Sequence, residues 1–443
     1  MGNETVEAVR RAGVVGAGGA GFPTYVKLGS QVQDVIVNGA ECEPLLRTDP
    51  YLLRSHPEQV LRGLEIAMQA TGAQRGYVAV KAKHAETVAG LEQAVRGEKG
   101  VTVFPLDDFY PAGDEHVLVR EVLGRTVPEG GLPTQAGVLV QNVQTLINVA
   151  AAVDLDAPVL DKWVTVNGWV RRPTTVRVAV GTPVVEMLSL AGGPRGEDFA
   201  VIEGGPMTGR VVADLQQPVT RVTGGLIVLP REHKVISLKT RPVELELRLA
   251  ASVCCGCQEC TFMCPRNLLG HHLHPHKITK QLPLAVPNSG TYLEAFLCSQ
   301  CSVCDLYACP MGLSPKRLFA HVRAELVRAG AKNPNQGRAA QPHPYVTARH
   351  LPIPRLIARL GLKEFDVPAK LEDEPHRPRR VTIPLLMGAG APAEPVVAVG
   401  ERVERGQVVG AHRPDRLGVS VHASISGVVE AVTPQAVVIG SGE

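Results

Sequence analysis

The sequence predicts a multidomain protein of mixed α/β and α+β class, and three observations predict it. The chain has 443 residues, too many for one small core. Nine of its ten cysteines fall in two compact runs between positions 254 and 309, eight of them at regular spacing. The residues before those runs and the residues after them carry different patterns: a glycine loop with buried strands and helix starts on one side, short valine-rich strands on the other.

Composition limits the function. At 44% hydrophobic and 20% charged residues, this is ordinary globular material. Aromatics make up only 4% and the formal net charge is +3, so neither stacking platforms nor a basic face is available for nucleic acid. No run approaches the ~18 apolar residues of a membrane helix, and "MGNETVEAVRRAGVV" lacks the apolar centre of a secretory signal. These features lead us to expect a cytoplasmic protein without an integral membrane segment. Cysteines there stay reduced and point to metal rather than to disulfides.

The first element is the glycine-rich stretch "GAGGAGFPTYVKL", Gly16 to Leu28. Gly16, Gly18 and Gly21 satisfy G-x-G-x-x-G, and such glycines let backbone N–H groups approach an anion. A helical segment rather than a strand precedes the loop, which argues against an ordinary dinucleotide fingerprint. "VIVNGAECEP" (Val35 to Pro44) reads as a buried strand leaving into an acidic loop. "FYPAGDEHVL" (Phe109 to Leu118) is a second loop with adjacent carboxylates, and "LVQNVQTLINV" (Leu139 to Val149) puts Asn142 and Thr145 on a helix start. Cys42 lies between Glu41 and Glu43, where like charge disfavours a thiolate, so it reads as packing.

Together these four stretches resemble the flavin-binding domain of the FMN-carrying, NADH-oxidising subunit of respiratory complex I and of RnfC-type subunits. The resemblance implies a Rossmann-like FMN domain over 1–155. Gly16, Gly18, Gly19 and Lys27 would hold the flavin phosphate and ring edge. Asn38, Glu41, Gly113, Asp114, Glu115, Asn142 and Thr145 would complete the pocket, and Phe22 and Glu43 would face NADH, the electron donor. The chain departs from the complex I pattern at Ala17, where an arginine is usual, and at Ser30, where a second aromatic is usual.

Next, "WVTVNGWVRRPTTVRVAVGTPVVEMLSLAGG" (Trp163 to Gly193) alternates in two strands around a turn and resembles the β-grasp (SLBB) domain, expected over 156–245. The loop "EGGPMTG" (Glu203 to Gly209) suggests docking rather than chemistry.

The cysteines define the third unit, 246–330. Cys254, Cys257, Cys260 and Cys264-Pro265 fit C-x2-C-x2-C-x3-C-P, the ferredoxin run for a [4Fe–4S] cluster. Cys298, Cys301, Cys304 and Cys309-Pro310 repeat it with one more residue in the last gap. Cys255 is out of register. In such pairs the fourth cysteine serves the other cluster. One set is therefore Cys254, Cys257, Cys260 and Cys309; the other is Cys298, Cys301, Cys304 and Cys264. Structural zinc would use two separated C-x2-C pairs, which these triplets are not. The histidines of "HHLHPH" (His271 to His276) read as a helix end and turn.

Residues 331–378, rich in proline and charge, read as a linker with a helix near Leu351 to Leu362. The valine-rich end, 379–443, resembles a barrel-sandwich hybrid domain; it has no lysine and so cannot be a swinging carrier. In RnfC that domain comes first. Its position last resembles the family of PduS-type cobalamin reductases. The resemblance implies electron transfer from NADH through FMN and two [4Fe–4S] clusters to a corrinoid or corrinoid-bearing protein. It also implies location in a bacterial microcompartment, self-association, and an adenosyltransferase or electron-transfer subunit as partner. The alternative is an RnfC-like electron-carrying subunit of a larger complex with a different acceptor.

Overall fold

The computed structural model describes residues 2–285 and 289–442. Its first body is built on four parallel strands, β1 (Asp34–Gly39), β2 (Arg75–Lys81), β3 (Val101–Leu106) and β5 (Val138–Asn142), in the order β3-β2-β1-β5. A two-residue strand, β4 (Phe109–Tyr110), leaves this sheet. β1 reads as a continuous apolar run because both its faces are covered, as parallel strands require. Helices Pro57–Thr71 and Val143–Asp154 pack together against it and close a core around Val35, Val37, Leu64, Val78 and Leu146. The strand order reverses between β1 and β5, and in open α/β sheets ligands bind at the carboxyl ends of the strands at such a switch point. Asn38 and Asn142 sit there, side by side in register.

The second body is a six-stranded mixed sheet. Its members are β6 (Asp161–Gly168), β7 (Thr174–Ala179), β8 (Phe199–Glu203), β9 (Arg210–Val211) and β10 (Gly225–Pro230), joined by a strand from much later in the chain. That strand corrects the expectation of a linker at 331–378, although the helix expected near Leu351 to Leu362 is present. The segment first adds β11 (Leu351–Pro352), paired with β4, and the helix Ile353–Leu360; then β12 (Lys370–His376) pairs in parallel with β7. The residues of β12 alternate exposed and half-buried, so Lys370, Glu372 and Glu374 face water along the sheet edge, while Asp373 turns inward and accepts from the Trp163 indole N–H. Charged residues are a usual way of blunting an edge strand.

Short helices carry the cysteine runs between these bodies, and the C-terminal residues form two small antiparallel sheets over a core of Val381, Ile383, Val409, Val429 and Ile439. This last domain touches the first directly. Gly21 has φ +62°, and a Cβ there would stand 2.4 Å from the Cα of Gly388, so the glycine loop and the barrel meet backbone to backbone. Among the described residues no helix is long and apolar enough to cross a membrane.

Candidate functional site

A cavity of about 400 Å³ opens at the switch point. The glycine loop Gly16–Ala20, Phe22 and Lys27 form one wall, and Asn38, Glu41 and Glu43 follow from the end of β1. Gly113, Asp114 and Glu115 close a third side, with Asn142 below. These sequence-predicted residues therefore come together. Thr145 is the exception: it lies outside the lining, fully buried, and its hydroxyl accepts the Ala17 N–H at 2.9 Å. It shapes the glycine loop from behind.

Each polar side chain has a local reason for its place. Asp114 caps the helix Glu115–Leu123, accepting from the N–H groups of His116 and Val117. Burial pulls its carboxyl up, but Arg266, then His116 and the two backbone donors, outweigh that and leave it below the usual carboxylate range. Arg266 reaches it with both terminal nitrogens, at 2.9 and 3.0 Å, from the cysteine domain. Asn142 caps the helix Val143–Asp154 and donates to Asp49. Lys27 donates to Glu115 at 2.8 Å and to the carbonyl of Val140 at 3.2 Å.

Glu43 differs from its expected role. Both its oxygens already accept hydrogen bonds, from Met207 N–H at 2.9 Å and from Thr208 N–H and hydroxyl at 2.7 and 2.5 Å. The "EGGPMTG" loop can come this close because position 205 is glycine; a Cβ there would lie 2.1 Å from the Glu43 carboxylate. Glu43 thus ties the pocket to the β-grasp sheet. Glu41 keeps its proton at neutral pH: burial first, then Asp49 and Glu43, push its carboxyl up to about 8. Burial likewise raises the Cys42 thiol to about 12, in keeping with a packing role.

Among the lining residues that sequence reasoning missed are Asp49, Gln141, Gln144 and Lys162. Lys162 is 2% exposed and comes from β6 of the next domain; it donates to the Ala17 carbonyl at 2.9 Å, and burial lowers its ammonium to about 8. No local spacing could have pointed to it. Gln141 and Gln144 flank Asn142 in a stretch otherwise almost wholly apolar, and polar residues in a buried run were the available signal. The Nε2 of Gln141 and both amide atoms of Gln144 are buried without a hydrogen-bond partner. Orphaned buried polar groups carry a penalty unless something satisfies them. A ligand rich in hydrogen-bonding atoms, held by glycine-loop N–H groups and Lys27, is what this cavity fits, and FMN is such a ligand.

The cysteines sort into two quartets. Cys254, Cys257, Cys260 and Cys309 ring a small cavity, with the exposed Cys255 on its rim. Burial, then Cys309, Cys257 and Cys254, push the Cys260 thiol up to about 12. Cys264 is raised by burial and by Cys301 and Cys298, and Cys304 by burial and by Cys298, Cys301 and Cys264 among its neighbours. The fourth cysteine of each run has crossed to the other. Thiols crowded and buried in this way hold their protons unless cations face them, and cluster iron supplies those cations. The histidines of 271–276 go to separate partners: His271 to the Val127 carbonyl, His272 to Glu129, His274 to Glu294 and His276 to Thr261.

The quartets are not equivalent. Cys301 lines the large pocket itself, and Tyr110, 3% exposed, donates its hydroxyl to the Cys301 carbonyl at 2.7 Å. The other quartet shares no residue with that pocket, and its Cys257 is exposed. One quartet is inner and the other outer.

Models of known domains match the chain in the same arrangement. Residues 9–151 match the Nuo51 FMN-binding domain, 163–211 the SLBB domain, 253–314 the 4Fe-4S dicluster domain and 368–443 the RnfC barrel sandwich hybrid domain. Cobalamin reductase PduS of Salmonella typhimurium is 42% identical over 99% of this chain and 97% of its own length. The protein of that name from Citrobacter freundii is 41% identical, over 98% and 96%. One component of the Na(+)-translocating ferredoxin:NAD(+) oxidoreductase complex of Acetobacterium woodii is 35% identical over 59% of this chain and 57% of that protein. Among solved structures, the NAD+-reducing [NiFe]-hydrogenase in its H2-reduced state shares the fold, with a TM-score of 0.51 and 21% identity over 77% of this chain and 68% of that one. FMN and [4Fe–4S] clusters are the cofactors of the matched domains, and the residues present fit both. With relatives matched almost end to end, the chain belongs to the family of PduS-type cobalamin reductases.

Proposed function

We propose that this protein takes electrons from NADH at the large pocket and delivers them singly to a corrinoid. The observation that carries the reading is the shared wall: Cys301 of the inner quartet lines the same cavity as the glycine loop. Bound FMN supplies the exchange between two-electron and one-electron chemistry, and the clusters carry single electrons.

The chain's own residues do the rest. The N–H groups of Gly18 and Gly19 and the Lys27 ammonium face the flavin phosphate and ring edge, while the Gly16 N–H, donated to the Phe22 carbonyl at 2.9 Å, closes the loop on itself. Gln141 and Gln144 give their free amides to the flavin, and Lys162 holds the glycine loop closed. Glu41, protonated at neutral pH, offers a hydrogen-bond donor where a carboxylate would repel a reduced ring. Phe22 stands half-buried at the pocket wall, suited to a nicotinamide face. Cys264, Cys298, Cys301 and Cys304 hold the inner cluster; Cys254, Cys257, Cys260 and Cys309 hold the outer one and open to solvent. The same reading places the protein in the cytoplasm within a bacterial microcompartment, with a corrinoid or corrinoid-bearing protein as partner.

Anaerobic purified protein, supplied with NADH, should reduce a free corrinoid at a rate that tracks its FMN and iron content. NADH oxidation with an artificial acceptor but none with corrinoids would instead support an electron-carrying subunit that serves a different acceptor.

A further inference from the structure

A second large groove, of about 630 Å³, lies against the cysteine domain and shares no lining residue with the flavin pocket. One wall is Glu259, Met263 and Ala308, the residues immediately before Cys260, Cys264 and Cys309. The groove therefore runs along the backbone of both quartets at the points where their ligands cross. The opposite wall carries Arg349, Arg355 and Arg359.

All three arginines are exposed, and among the described residues none forms an ion pair with a carboxylate. Arg349 donates to the Met263 sulfur, at 3.9 Å. Arg355 and Arg359 are four apart on the helix Ile353–Leu360, whose other face buries Ile353, Leu356, Ile357 and Leu360. Like charges at that spacing repel. Some exposed arginines of this chain find acids, as Arg62 finds Asp154 and Arg413 finds Asp415, while others, such as Arg96 and Arg402, stand unpaired as these three do; what sets these three apart is that they converge on one groove. Glu259 is the one acid on the lining of the groove.

We propose that this groove is where the terminal acceptor docks, and that the arginines take the phosphodiester of a corrinoid. The inference rests on the corrinoid-reductase reading above and assigns its substrate a place. Guanidinium forks match phosphate oxygens, and a corrinoid that carries its nucleotide loop has one such phosphate beside an otherwise amide-rich, uncharged periphery. Met263 and Tyr307 give the apolar surface against which a macrocycle can lie, next to the outer quartet. The transfer balances when one NADH yields NAD+, a proton and two electrons, and two corrinoid cobalt ions each gain one electron.

The test uses the full-length holoprotein and an R355Q/R359Q variant, with cobalamin and with cobinamide, which lacks the phosphodiester. Equilibrium binding is read from the corrinoid absorbance, and NADH-driven reduction is measured for each corrinoid and for methyl viologen. The wild type should bind cobalamin at least about tenfold more tightly than cobinamide. The variant should lose that preference, with cobinamide binding and viologen reduction unchanged. Unchanged cobalamin binding in the variant, or an equal loss for both corrinoids, overturns the assignment and leaves the reductase reading standing. Wild-type protein that reduces viologen but neither binds nor reduces any corrinoid overturns the reading as well.

Discussion

Gln144 is the residue at which the pocket can be tested most cleanly. It is 1% exposed, and both its amide atoms lack a partner. An apolar replacement of similar shape removes an unsatisfied buried group, which is neutral or stabilising by itself. Gln144→Leu should therefore leave the melting temperature of flavin-free protein unchanged or raised, yet weaken FMN retention by roughly tenfold, the equivalent of one hydrogen bond of about 1–1.5 kcal/mol. Calorimetry on stripped protein and flavin fluorescence after gel filtration measure the two sides; full FMN retention would remove Gln144 from the site. The sequence made the neighbouring positions legible because a glycine loop and capped helix starts have local signatures. It did not make Gln144 or Lys162 legible, because a buried polar side chain is recognisable only once its surroundings are known. The role of Glu43 escaped for a related reason: its partners, Met207 and Thr208, lie more than 160 residues away.

At the scale of elements, the helix Glu115–Leu123 joins the flavin domain to the cysteine domain and carries an acid-sensitive group. His116 is buried, and burial first, then Arg266, lower its imidazole to about 3. The unfolded chain titrates near 6.5. The folded form thus binds fewer protons, and the stability this contributes is complete above about pH 6.5 and declines as pH falls toward 3. Asp114 on the same turn, held below the usual carboxylate range, loses its contribution only below about pH 4. Denaturant titrations between pH 7.5 and 4.5 should therefore show stability falling with acid, with a shallower slope in His116→Gln; identical slopes would place the sensitivity elsewhere. Element boundaries were legible where capping and periodicity were strong, as in the helix started by Asn142. The strand β12 was not: "KLEDEPH" has a linker's composition, and only its pairing with β7 makes it a strand.

Across the whole molecule, buried charge holds the domains in one arrangement. Arg221, 2% exposed, donates to the carbonyl of Gly13 in the flavin domain and to that of Ser420 in the barrel, both at 2.9 Å. Burial lowers its guanidinium to about 10, so it remains charged at neutral pH. Arg221→Ala should cost on the order of 3 kcal/mol through these charge-assisted bonds. Proteolysis should then cut between the β-grasp sheet and the barrel, and FMN should be held less tightly because the barrel backs the glycine loop at Gly388. The domain order was readable from sequence, since each unit has its own pattern; the way the barrel folds back onto the first domain was not, since no local feature encodes contacts between positions 21 and 388.

The relay order from flavin pocket to inner quartet to outer quartet is the central claim, and Cys301→Ser set beside Cys257→Ser tests it most directly. Each variant should lose one cluster and keep about four iron atoms per chain. Under anaerobic NADH, followed by low-temperature EPR and flavin absorbance, Cys257→Ser should still reduce its remaining cluster as fast as the wild type while losing electron delivery to the acceptor. Cys301→Ser should reduce its flavin normally but fill its remaining cluster far more slowly. Filling of the outer cluster at the wild-type rate in Cys301→Ser would contradict the order proposed here.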